Sequence, residues 1–115
     1  MDETLDDDAP LPGVVDYVVG FAFNYDLSKV VLIRKNKPAW QANKLNGVGG
    51  KREPGESFLA AMQREFKEEA MKGVRDWVAV CTVTGTGYRI RFFYTVLGHI
   101  FEMIKTLTPE AIEPE

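Results

Sequence analysis

Apolar and β-branched residues dominate from Val14 to Phe23 and again over Val30–Ile33, with turn-forming residues from Asn24 to Lys29 between them. This pattern predicts two well-buried strands. Asn36–Lys44 is polar and contains Pro38, so it reads as a loop, with Trp40 as an aromatic that has no strand partner. The segment Leu45–Glu56 holds four glycines in twelve residues, a backbone free enough of side chains to approach a ligand or to turn sharply. From Ser57 to Lys72 the period lengthens to that of a helix. Leu59, Met62, Phe66 and Ala70 form its apolar stripe, Ser57 is its N-cap and Gly73 its C-terminal stop. Trp77–Val83 and Tyr88–Leu97 predict two further strands joined by a turn at Gly85–Gly87, with Arg89 and Arg91 alternating against Ile90 and Phe92. Ile100–Leu107 is ambiguous in period.

A chain of 115 residues, 45% hydrophobic, holds one globular domain and excludes a multi-domain enzyme. Its formal charge of -3 conceals an uneven distribution. Residues 1–8 carry five acids and no base, residues 9–108 carry fourteen bases against nine acids, and residues 109–115 carry three acids. A basic body between acidic ends points to an anionic ligand. Residues 1–13 and 109–115 accordingly read as a flexible acidic arm and an acidic tail around a domain at 14–108.

The lone Cys81 excludes a disulfide framework and a cysteine metal cluster, and reads as a small buried hydrophobe in a strand. One histidine, His99, builds neither a histidine-rich metal site nor a nucleophilic triad. No signal-peptide pattern and no run of about 18 apolar residues occurs, so the expectation is a cytoplasmic protein without a membrane segment.

The chemistry concentrates on the predicted helix. Opposite its apolar stripe lie Arg64, Glu65, Glu68 and Glu69, and spacings of three and four bring the three glutamates to one face, within a few Å of one another. Such like charges repel unless compensated. Lys67 and Lys72 can do so in part, and a hard divalent cation that prefers oxygen ligands does so better. A solvated acidic face is the plain alternative for this string taken alone.

Upstream residues add fixed spacing: Gly50, five residues, Glu56, seven residues, then Arg64-Glu65-Phe66-Lys67-Glu68-Glu69. This resembles the Nudix box, G-x5-E-x7-R-E-U-x-E-E-x-G-U with U apolar, the defining motif of the Nudix hydrolases. The chain departs from it once. Met71 stands at the glycine position, and Gly73-Val74 follows two residues late. A left-handed helix end is costly for methionine, which predicts a helix extended by about half a turn and capped by Gly73.

The resemblance implies an α/β/α sandwich around a mixed sheet, and Mg²⁺ or Mn²⁺ held by Glu65, Glu68 and Glu69 with a backbone carbonyl of Gly49 or Gly50. It implies that Glu56 and Arg64 brace loop against helix, Glu56 also lying near the metal, that Lys51 faces phosphate, and that Glu65 is the general base. Glu102 is a further candidate carboxylate with no fixed spacing. The implied reaction is attack by metal-activated water on a diphosphate linkage of a nucleotide derivative, with conversion of a nucleoside triphosphate to monophosphate and pyrophosphate favoured. ADP-ribose, dinucleoside polyphosphates and RNA caps are alternative substrates, and a nucleotide-binding module without turnover is an alternative function.

Asn46 matches a residue that reads a purine edge in some members, or it caps its own glycine turn. Trp40 could stack on a base, or pack on the sheet. Arg34, Lys35, Lys37, Arg89 and Arg91 supply a positive rim, or are each solvated surface. No basic stripe with interleaved aromatics supports nucleic-acid binding. The chain is short for such a domain, whose late strand and second large helix usually follow the place of Thr106–Pro109. The expectation is therefore a missing C-terminal layer, or a partner subunit, as in a homodimer, over an exposed sheet face.

Overall fold

A computed structural model describes residues 8–34 and 45–98. Strand β1 (Val15–Phe23) is central, flanked by β4 (Val48–Lys51) and β6 (Tyr88–Val96), with β5 (Val78–Gly85) outside β6. The sheet is mixed: β1 runs parallel to β6 and antiparallel to β4, and β5 pairs antiparallel with β6 through the hairpin at Thr86-Gly87. The short strands β2 (Ile33–Arg34) and β3 (Leu45–Asn46) form a separate pair. Part of the glycine-rich segment expected as a loop is thus the strand β4, in register with β1 from Gly20↔Val48 to Tyr17↔Lys51.

Helix α1 (Phe58–Ala70) lies over β4 and β1. Period-two alternation turns Asp16, Val18 and Ala22 of β1 toward it, and all three are buried. Phe58, Ala61, Met62, Phe66 and Ala70 complete the core from the helix side, and Trp77 packs edge-on against Phe66 with ring centroids 5.2 Å apart. The buried stripe keeps three of its four predicted members, Met62, Phe66 and Ala70, and differs at its start. Leu59 is exposed and Phe58 takes its place, because positions 58, 61, 62 and 66 share a helix face and 59 lies outside it. This phase leaves Glu65 and Glu69 at the edge of the buried stripe, with consequences for the site.

Both helix ends are resolved in detail. Ser57 is the N-cap as expected, its hydroxyl accepting from the Ala60 amide at 2.9 Å. The C-terminus corrects the sequence expectation. The helix does not extend to Gly73; it stops at Ala70, and Met71 itself adopts the left-handed conformation (φ 64°, ψ 19°), donating its amide to the Lys67 carbonyl at 3.0 Å. The hydrogen bond offsets the roughly 1–2 kcal/mol that a side chain costs in that region.

Cys81 is also corrected: it is exposed, as is every residue of β5. Cys81 pairs with Phe92, on the face of the sheet turned away from α1. The face of the sheet opposite α1 carries Val15, Tyr17, Val78, Val83, Tyr88, Tyr94 and Val96, each more than a third exposed. Among the described residues no helix is long and apolar enough to cross a membrane. His99, Trp40, Lys35, Lys37 and Glu102 lie outside the described residues.

Candidate active site

The site grows from the junction of β4 with α1. β4 delivers Gly49 and Gly50 alongside β1 so closely that a Cβ on Gly49 would stand 1.9 Å from the Val18 carbonyl oxygen. A Cβ on Gly50 would lie 2.5–2.6 Å from the carboxyl atoms of Glu65. Only glycine leaves room for that carboxylate to lie on the strand backbone. The two ends of the motif, fifteen residues apart in sequence, are in this way brought into contact.

Arg64 organises the acids around it. Its Nε and Nη2 donate to the two oxygens of Glu56 at 2.6 and 3.0 Å, a two-pronged pairing, and Nη2 also donates to the Lys51 carbonyl at 3.0 Å. Nη1 donates to Glu65 Oε2 at 2.8 Å and lies 3.6 Å from Glu68 and 3.7 Å from Glu53. The Arg64 guanidinium holds the Glu56 carboxyl below the usual carboxylate range, and Glu56 in turn raises the pKa of Arg64. Glu65 shifts the other way. Burial against β4 pushes its pKa up more than Arg64 pulls it down.

Several sequence-predicted residues meet here. Glu56, Arg64, Glu65 and Gly50 are in one contact network, with Lys51 joined through its carbonyl. Glu68 is exposed beyond Arg64, and Glu69 is half-buried with its Oε1 out of solvent. Among the described residues no three acidic, histidine or cysteine side chains are gathered into a metal-holding group. Glu65 and Glu68 share the Arg64 Nη1, at 2.8 and 3.6 Å. The donor set still fits a hard divalent cation: three carboxylates on one helix, and a glycine backbone against which Glu65 already rests. Asn46 is exposed at the end of β3, opposite Ile33. Arg34 belongs to β2, paired with Leu45.

Arg89 and Arg91 do not form a positive rim. They face α1, where Arg89 pairs with the buried Asp16, its Nε 2.7 Å from Oδ1, and the Arg91 Nε donates to Thr82 at 2.8 Å. Asp16, Arg52 and Asp8 were not singled out by the sequence reading. The available signal was the period-two pattern itself, which puts one acid, Asp16, on the core-facing side of β1.

The NUDIX domain family matches residues 16–113. No curated protein matches in sequence. Among solved structures, one from work on MutT of Aliivibrio salmonicida and Vibrio cholerae is 26% identical with a TM-score of 0.61, over 72% of this chain and 63% of that one. A NUDIX-family hydrolase from Clostridium perfringens is 24% identical at a TM-score of 0.58, over 71% of this chain and 67% of that one. The Ap4A hydrolase of C. elegans is 19% identical at 0.55, over 74% and 69%. The chain thus spans less than two thirds of the length of the MutT structure it matches.

Proposed function

The chain belongs to the Nudix family, and from that premise we propose that it is a divalent-metal-dependent hydrolase of a phosphoanhydride bond in a nucleoside di- or triphosphate derivative. Cleavage of a nucleoside triphosphate to monophosphate and pyrophosphate is the favoured reaction. The observation that carries this reading is the contact between Glu65 and Gly50, which joins the glycine strand to the carboxylate helix where a side chain on Gly50 would displace that carboxylate. Likeness to a MutT structure at 26% identity supports the same class.

In this mechanism Glu65, Glu68 and Glu69, with a carbonyl of Gly49 or Gly50, would hold Mg²⁺ or Mn²⁺. When bound, such an ion supplies neutralisation of the phosphate oxygens and a lowered pKa for attacking water. Glu65 accepts the proton as the water oxygen attacks phosphorus and the phosphorus–oxygen bond to the leaving phosphate breaks. Arg64 and Glu56 fix the Glu65 carboxylate and the loop before α1, so that the base is oriented before substrate arrives. Lys51 and Asn46 are the candidates for contacts to phosphate and base.

The test is a panel of nucleoside triphosphates, ADP-ribose and dinucleoside polyphosphates with Mg²⁺ or Mn²⁺, with every product identified. Metal-dependent release of pyrophosphate or a mononucleotide from one of them is expected. Absence of turnover across the panel overturns the reading.

A further inference from the structure

A second charged cluster lies on the other side of the loop between β4 and α1. Asp16 is 8% exposed, and its carboxylate takes hydrogen bonds from two arginines. Arg89 donates from Nε to Oδ1 at 2.7 Å and from Nη2 to Oδ2 at 2.8 Å, while Arg52 donates to Oδ2 from Nη2 at 2.6 Å and Nε at 3.1 Å. Both guanidinium groups lie near the buried Phe58 ring, Arg52 at 4.3 Å and Arg89 at 5.3 Å from its centroid. One carboxylate thus orients two arginines beneath the first turn of α1.

The remaining donors reach outward to backbone. Arg52 Nη1 donates to the Glu56 carbonyl at 2.7 Å and to the Asp8 carbonyl at 2.8 Å, and Arg89 Nη2 donates to the Ala9 carbonyl at 3.0 Å. The Asp8 carboxylate then accepts the Phe58 amide at 2.9 Å, satisfying a helix-start donor that Ser57 does not reach. Asp8 and Ala9 belong to the stretch that reads from sequence as an acidic arm, yet their bonds fasten that stretch across the loop. A continuous series follows: Asp16 holds Arg52, Arg52 holds the Glu56 backbone, Glu56 holds Arg64, and Arg64 holds Glu65.

We propose that Asp16, Arg52, Arg89 and Asp8 form a strap that positions the loop at residues 52–57, and that Asp16 is a positioning residue for Glu65, acting through Arg52, Glu56 and Arg64. The catalytic half of this proposal rests on the hydrolase reading above; the strap itself does not. The hydrogen bonds of the Asp16 carboxylate go to Arg52 and Arg89, neither of which is assigned to metal or substrate. Its effect is on how narrowly Glu65 is held, so it belongs to turnover and not to substrate affinity.

The experiment compares the full-length wild type with Asp16→Asn and Asp8→Ala by amide hydrogen exchange and by steady-state kinetics. Asp16→Asn keeps the shape and removes the charge. Exchange at residues 52–57 is expected to rise about tenfold while amides of β6 beyond Phe93 change less than about twofold. The kcat of the same variant is expected to fall about tenfold with KM within about twofold of wild type. Asp8→Ala, which leaves the Asp16 pairs intact, should raise exchange at the same loop by a smaller factor and supplies the contrast if Asp16→Asn does not fold. Unchanged loop exchange, or a rise spread evenly over the sheet, overturns the strap. A local rise with kcat unaffected overturns the positioning role. A wild type that hydrolyses nothing on the panel overturns the functional reading and with it the catalytic half, whereas the exchange contrast decides the strap by itself.

Discussion

Two arginine–carboxylate networks flank the loop between β4 and α1, and they are built with opposite stoichiometry. Around Arg64, one guanidinium serves Glu56 and Glu65, with Glu53 and Glu68 within 4 Å, in a setting open enough that the Glu68 side chain is 58% exposed. Around Asp16, one carboxylate serves two guanidiniums whose side chains are 7% and 11% exposed. The acid-rich network has more negative charge than its arginine can neutralise, and burial raises the pKa of Glu65 within it. The arginine-rich network spends its surplus donors on the carbonyls of Asp8, Ala9 and Glu56. The first leaves an excess of negative charge; the second fastens one stretch of the backbone to another. Similar ion pairs on one loop therefore call for different functional readings, decided by which charge is in excess and how far water reaches.

Removing one carboxylate from each network separates the two most directly. Glu65→Gln should lower kcat by on the order of 10²–10⁴ while unfolding in urea stays within about 1 kcal/mol of wild type, since the charge it removes is one that burial disfavours. A Glu65→Gln variant with full turnover would remove Glu65 from the role of base. On the other side, Asp16→Ala leaves two buried guanidiniums without their carboxylate and should cost about 3–5 kcal/mol in urea unfolding. Loss of less than about 1 kcal/mol would mean the Asp16 network is no more than a surface ion pair.

Acid titration sharpens the contrast. The hydrogen bond from Arg89, with help from Arg52, holds the Asp16 carboxyl below its ordinary value of 3.8 despite burial. A group depressed in the folded state contributes stability that is complete above its unfolded value and is lost as pH falls through the folded one. Unfolding free energy measured from pH 6 downward should therefore fall below the ordinary carboxylate range, less steeply in Asp16→Asn. An identical acid limb in the two proteins would assign the loss to other carboxylates, Glu56 first among them. The smallest effect concerns the helix start that both networks abut. Ser57→Ala should lower stability by about 1 kcal/mol in thermal or urea unfolding. No measurable loss would mean that the Asp8 carboxylate alone suffices as the cap.

How much of this was legible in the sequence depends on whether the signal was periodic. Strands β1, β5 and β6 and helix α1 follow from apolar alternation and stripe, within one or two residues at their ends. The pairing of Glu56 with Arg64 and the approach of Gly50 to Glu65 follow from the spacing of a motif. Met62, Phe66 and Ala70 are legible as the stripe of α1, but its first member is Phe58 and not Leu59, since both are apolar and burial alone distinguishes them. Cys81 was read as buried from its strand, but strand membership does not reveal which strand is the uncovered edge. Arg89 and Arg91 were read as surface charge because arginine seldom faces a core, and the acid that permits it, Asp16, lies 73 residues away from Arg89 in sequence. Long-range charge pairing leaves no local periodic signature.

Met71 carries a lesson for how such chains are found. The helix terminates in the left-handed turn that the motif's glycine would supply, at the motif's own position, with a different letter. What the position specifies is a pair of dihedral angles, and the alphabet is only a proxy for them. A search that requires glycine there would discard this chain while its backbone meets the requirement in full. A profile that tolerates any residue able to bear the αL turn, weighted by its cost, would retain it and others like it.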